Sequence, residues 1–151
     1  MDSIKTLDDL RKFVGQEIAV TDWLEITQER INQFADATDD HQWIHIDRER
    51  AQRESPYQAT IAPGFLTHAL LPQFLTGAVQ LGGLRMAINY GLNRVRFPSA
   101  VLAGAHIRAR IVLQSIREVP DATEAAFAVT IESRGSEKPC CVAEWLARYY
   151  E

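Results

Sequence analysis

The sequence predicts an α+β fold in which an antiparallel sheet curls around a long central helix. Two patterns carry that prediction. The segment from Gly64 through Phe65, Leu66, Thr67, His68, Ala69, Leu70, Leu71, Pro72, Gln73, Phe74 and Leu75 is apolar on every side, so as a helix it needs a wrapper. Behind it come alternating apolar and polar runs separated by turn residues, the mark of strands that bury one face. One strand and helices in front, strands behind, is an α+β order rather than an alternating one. The 151 residues are expected to form a single domain, and 46 % apolar content suffices for its core.

Taken in order, Leu7 to Val14 reads as a short helix stopped by Gly15. Ile18, Val20, Leu24 and Ile26 share one parity, which predicts a strand over Glu17 to Ile26. Thr27 is an N-cap, and Ile31, Phe34, Ala35 and Thr38 follow at helical spacing to an end near Asp39 and Asp40. Residues Asp47 to Pro63 are polar and punctuated by Pro56 and Pro63, so they read as irregular. Pro72 bends the central helix without having to end it. Met86, Ile88, Tyr90 and Leu92 alternate on one face, then Val95 and Phe97 take the opposite parity. That switch across Gly91, Leu92 and Asn93 predicts a bulge. Ala105 to Leu113, Phe127 to Ile131 and Cys141 to Tyr150 supply three further strands.

Several function classes are disfavoured. With 16 Lys plus Arg against 20 Asp plus Glu, the net charge is −4, the wrong sign for coating phosphate backbones, so no nucleic-acid partner is expected. No run approaches the roughly 20 apolar residues that span a bilayer, so no membrane partner is expected. The segment Met1 to Asp9 is acidic and broken, unlike a signal peptide. The two cysteines, Cys140 and Cys141, are adjacent and read as small buried side chains in a reducing compartment, with the cytoplasm as default. No G-x-S-x-G elbow, P-loop or G-x-G-x-x-G occurs, so neither a serine hydrolase nor a nucleotide cofactor is implied. His68 and His106 read as packing and surface residues.

Candidate chemistry concentrates between Phe34 and Asp47, which holds two of the four histidines. Aspartates at a helix C-terminus face the negative end of its dipole, a local penalty of about 0.3–1 kcal/mol each. A solvated acidic loop explains them without function. Trp43, Ile44 and Ile46 nevertheless interleave with Asp40, His41 and His45, the setting in which ionisable groups are tuned. His41 and His45 lie four apart, but Gln42 stands where a zinc protease needs its Glu, and no third ligand is defined, so no metal is expected.

The stretch from Ala37 through Asp40, Gln42 and His45 to Asp47 resembles the signature of MaoC-like (R)-specific enoyl-CoA hydratases, an Asp and a His five positions apart with an amide between. Gln42 replaces the commoner Asn and Trp43 the commoner Pro, as in the small branch related to nodulation protein N. Ile61 to Thr67 is similar to the second motif, with Pro63 where that branch usually has His, and Asn89 to Pro98 is similar to the third. The resemblance runs from Gly15 to the C-terminal strand. It implies the hot-dog fold, a homodimer, and reversible addition of water to trans-2-enoyl-CoA, with no cofactor. Asp40 and His45 would grip one water, in acid and base roles that the sequence leaves open. Gln42 orients that pair or merely caps the turn. The Gly64 N–H donates to the developing oxyanion, or Gly64 merely permits a turn. Arg94 and Arg96 meet the phosphates of the acyl-CoA, or form a solvated face; the acyl group arrives on CoA or on a carrier protein. A hot-dog thioesterase using Asp40, and a non-catalytic acyl-binding or partner subunit, are the alternatives.

Overall fold

The structure is a computed structural model that describes residues 3–151. Met1 and Asp2, where the acidic opening segment begins, lie outside the described residues. Helix α1 (Leu7–Arg11) starts on a reciprocal cap: the Thr6 hydroxyl accepts the Asp9 N–H at 3.1 Å, and the Asp9 carboxylate accepts the Thr6 N–H at 3.2 Å. It is shorter than predicted, because the chain turns after Arg11 and reaches Gly15 at φ +86°.

The strand predicted over Glu17 to Ile26 is two strands, β1 (Glu17–Val20) and β2 (Leu24–Glu25), both paired with β4 (His106–Val119). At the break, the Thr21 N–H donates to the Ala109 carbonyl and the Thr21 hydroxyl accepts the Ala109 N–H, each at 2.9 Å. A side chain thus stands in for a ladder carbonyl, and the Ala109 N–H keeps a partner. Helix α2 (Gln28–Thr38) has Thr27 as its cap, as expected, and stops at Asp39, whose φ of +58° is left-handed and tolerated by Asp. Two short helices follow, α3 (Trp43–Ile46) and α4 (Arg48–Glu54). The second lies in the segment read as irregular. Only Ala51 of α4 is buried, so no apolar stripe announced it; the Asp47 cap on the Arg50 N–H and an Arg50–Glu54 pair at 2.6 Å hold it instead.

The central helix is α5 (Gly64–Ala69) followed by α6 (Leu71–Ala78), divided at Leu70. Pro72 has no N–H to offer the His68 carbonyl and its ring crowds that group, so the expected bend divides the helix. Leu66, Leu71, Phe74 and Leu75 are buried against the sheet.

The antiparallel sheet adds β3 (Met86–Arg96), β5 (Ala122–Ser133) and β6 (Cys141–Tyr150), in the order β1-β4-β5-β6-β3. Its inner face carries Ile107, Ile111 and Leu113 of β4, Phe127 and Val129 of β5, and Ala143, Trp145 and Tyr149 of β6. Phe127 and Trp145 are cross-strand partners with ring centroids 5.6 Å apart. Strands β4 and β5 run longer than predicted because a register shift between Leu113 and Ser115 reverses the alternation. The switch foreseen in β3 is a pair of register shifts, at Asn89/Gly91 and Leu92/Arg94.

On the outer face Arg108 and Arg110 both bind Glu132, in keeping with their reading as outward strand residues. Glu124, 5 % exposed, sits between Arg117 and Arg148 at 2.9 Å from each. Hydrogen bonds from these guanidinium groups hold both carboxylates below their ordinary pKa. Cys140 and Cys141 are free and buried, and burial pushes their thiols up to about 12 and about 11. Among the described residues no helix is long and apolar enough to cross a membrane.

Candidate active site

The turn at Asp39 ends α2 and starts a polar loop that feeds straight into α3, of which His45 alone is buried. Asp40 is exposed on that loop, and its carboxylate accepts the Gln42 N–H at 3.3 Å. Gln42 occupies the N-cap position of α3 but makes no side-chain cap, so its amide stays available. His41 is tied to Asp36 at 3.0 Å on the surface, while His45 is held in the interior, so their rings serve different partners rather than one ion.

His45 is 6 % exposed and its Nδ1 lies 2.7 Å from the Ile61 carbonyl. A carbonyl oxygen only accepts, so in the neutral ring the proton sits on Nδ1 and the lone pair on Nε2. Among the described residues every sealed side-chain nitrogen and oxygen has a partner, whereas Nε2 makes no protein hydrogen bond. Nε2 therefore faces accessible space with its lone pair free. No direct hydrogen bond joins Asp40 to His45.

Backbone pairing fixes the ring's support. The Ile61 N–H donates to the Ile44 carbonyl at 3.0 Å, and the Gln28 amide donates to the His45 carbonyl at 2.7 Å. Gln28 also accepts from the Thr60 hydroxyl, which is 2 % exposed. Gln28 and Thr60 were not found by sequence reasoning. Each looks like an ordinary polar residue locally, and the partners lie 17 and 32 positions away from Gln28.

Gly64 opens α5 behind Pro63, whose side chain offers no cap, and its N–H finds no protein acceptor among the described residues. Beside it lies a cavity of about 240 Å³ lined by Tyr57, Ile61, Gly64, Thr67, Phe97 and Val101 among others. Ile61 thus borders this cavity and accepts from His45; neither Asp40 nor His45 itself lines it. Phe97 roofs Gly64 so closely that a Cβ there would lie 2.8–2.9 Å from three ring carbons. His68 packs between Phe65 and Phe97, as its sequence reading expected.

Arg94 and Arg96 are exposed on β3 past the second register shift. Arg96 donates to the Val95 carbonyl at 2.7 Å, and Arg94 makes no hydrogen bond or ion pair among the described residues.

A model of the MaoC-like domain matches residues 9–134. The chain is 45 % identical over 150 residues to 3-hydroxyacyl-thioester dehydratase Z of Mycobacterium tuberculosis, covering 99 % of each chain. It is 43 % identical over 144 residues to nodulation protein N of Rhizobium meliloti, covering 94 % of this chain and 89 % of that one. Among solved structures, the R-hydratase PhaJ1 from Pseudomonas aeruginosa superposes with a TM-score of 0.73 at 21 % identity, covering 91 % of this chain and 82 % of that one, a likeness of fold. With its helix held against a curled antiparallel sheet and its Asp40–His45 segment at the edge of that core, the chain belongs to the MaoC-like family and has its hot-dog fold.

Proposed function

We propose that this chain is an (R)-specific enoyl-CoA hydratase, equally a (3R)-hydroxyacyl-CoA dehydratase, that adds water reversibly to trans-2-enoyl-CoA. The observation that carries the reading is the Ile61 carbonyl fixing the His45 proton on Nδ1, which leaves Nε2 as a base toward accessible space. The 45 % identity to a protein named a 3-hydroxyacyl-thioester dehydratase supports the substrate class.

In the hydration direction His45 Nε2 takes one proton from a water while the Asp40 carboxylate accepts the other O–H and turns a lone pair toward C3. The C3–O bond forms, the double-bond electrons move to C2 and the thioester oxygen, and the Gly64 N–H donates to that oxygen. The imidazolium then returns its proton to C2, so the residues end as they began. Gln42, its amide uncommitted, orients the water or the Asp40 carboxylate. Arg94, with no partner among the described residues, is suited to a CoA phosphate, with Arg96 beside it on β3. A carrier-protein thioester presents its phosphate to the same residues.

The same reading makes the protein a homodimer. Among the described residues strand β3 pairs only with β6, and its Met86, Ile88, Tyr90 and Leu92 are exposed, an apolar edge that a second copy would cover. A cytoplasmic location agrees with the two unpaired cysteines.

The test is to supply crotonyl-CoA and follow enoyl absorbance together with free thiol. Loss of absorbance without thiol is expected. Thiol release would point to the thioesterase, and no change across several chain lengths to a non-catalytic acyl-binding subunit.

A further inference from the structure

Three cavities follow one another along the same elements. On the helical pair they are lined by Gly64, then His68, then Leu75, which lie on one face at helical spacing. On the sheet side they meet Cys140, then Trp145, then Tyr149, in the same order. The first adjoins Gly64; the last, about 540 Å³, lies under the end of α6 and is within the size range of small-molecule sites. Together they lie in series along the central helix, though no residue lines two of them.

The far cavity has an apolar floor and a rim of Gln73, Thr76 and Gln80, and among the described residues no charged side chain lines it. One polar group reaches it from the floor. Tyr149 is 5 % exposed, and among the described residues its hydroxyl makes no hydrogen bond, yet no sealed side-chain oxygen there lacks a partner. The hydroxyl therefore opens into the cavity that the residue lines. Burial raises the phenol pKa, so the group stays protonated and can both donate and accept.

We propose that this cavity is the far end of the substrate groove, and that Tyr149 selects acyl chains bearing a neutral oxygen, a hydroxyl or ketone, far from the thioester. The inference rests on the hydratase reading for what enters at Gly64. An apolar chain end would leave the phenol dry and unpartnered, whereas an oxygen satisfies it. A carboxylate is disfavoured by the uncharged lining. Gly64 to Val79 spans about 22 Å of helix at most. An extended chain advances about 1.2 Å per bond, so the oxygen belongs no farther than about the eighteenth carbon, and the sixteenth lies within that reach.

The test compares trans-2-hexadecenoyl-CoA with its 16-hydroxy analogue. The intact protein is expected to favour the hydroxylated chain by about five- to tenfold in kcat/KM, the effect of one neutral hydrogen bond. Tyr149→Phe, which loses no protein partner and so keeps the fold, is expected to bring that ratio to one or below. Equal kcat/KM values in the intact protein, or a preference that survives Tyr149→Phe, would overturn the inference. If neither chain nor crotonyl-CoA is hydrated, the hydratase reading fails by itself. Calorimetric affinities of the same two acyl-CoAs for both proteins then decide the Tyr149 inference by the same ratio.

Discussion

Replacing Gly64 with Ala sets substrate access against fold stability at one atom. The added Cβ would lie 2.8 Å from Phe97 Cδ2 and 2.9 Å from two more ring carbons. Carbon atoms pack best at about 3.5–4.0 Å, so the ring must retreat by at least about 0.7 Å. It can, because Phe97 is 42 % exposed and the obstacle is side chain rather than backbone. Ala also constrains the unfolded chain, which returns about 0.4–1 kcal/mol where its backbone is compatible. The net stability change is therefore within about 1 kcal/mol, a Tm shift of no more than about 2–4 °C for a chain this long. Activity is another matter. A methyl group over the Gly64 N–H bars the thioester oxygen from its donor, and kcat/KM for crotonyl-CoA is expected to fall at least about 10²-fold, the scale of a lost oxyanion donor. Turnover within threefold of the unmodified protein, at unchanged Tm, would refute the idea that substrate comes within contact of Gly64. The double variant with Phe97→Ala separates causes: recovered activity would assign the loss to the displaced ring.

Asp40→Asn and His45→Ala are each expected to lower kcat by about 10²–10⁴-fold, and only His45→Ala should also lower Tm, since Asp40 is exposed and His45 buried. Thr60→Val removes the donor to Gln28, which should cost about 1–3 kcal/mol in urea unfolding and slacken the support of His45, so kcat falls more than KM rises. Glu124 and Glu132 have folded-state pKa values below their ordinary 4.5, so the folded state binds fewer protons than the unfolded chain in acid. Their contribution is fully present above that value and drains away as pH falls through the folded pKa values. Urea midpoints between pH 6 and 3 should drop, and less steeply for Glu132→Gln. Ile88→Lys puts charge on the open edge of β3 and is expected to convert the proposed dimer to monomer in light scattering.

Legibility in the sequence followed period and distance. The inner-face alternation of Ile107, Ala109, Ile111 and Leu113 was readable because each strand residue reports its face directly. The reading lapsed where the register shift near Ser115 reversed parity, and where α4 buried only Ala51. At the site, Asp40, Gln42, His45 and Gly64 came from motif spacing and from resemblance. What spacing did not convey is that the Ile61 carbonyl chooses the His45 tautomer, or that Gln28 and Thr60 brace it, since those contacts exist only after distant segments meet. Tyr149 reads simply as one more inward strand residue until the void beneath it is seen.

The paired thiols of Cys140 and Cys141 have a practical consequence. Both are enclosed next to β5, one giving its S–H to the Ile131 carbonyl at 3.3 Å, and both stay un-ionised at neutral pH. Cys140 borders the cavity beside Gly64, but an alkylating reagent can reach Cys141 only when β6 peels from its neighbour, so the alkylation rate of Cys141, read by mass spectrometry, clocks the rarest openings of the sheet without any introduced probe.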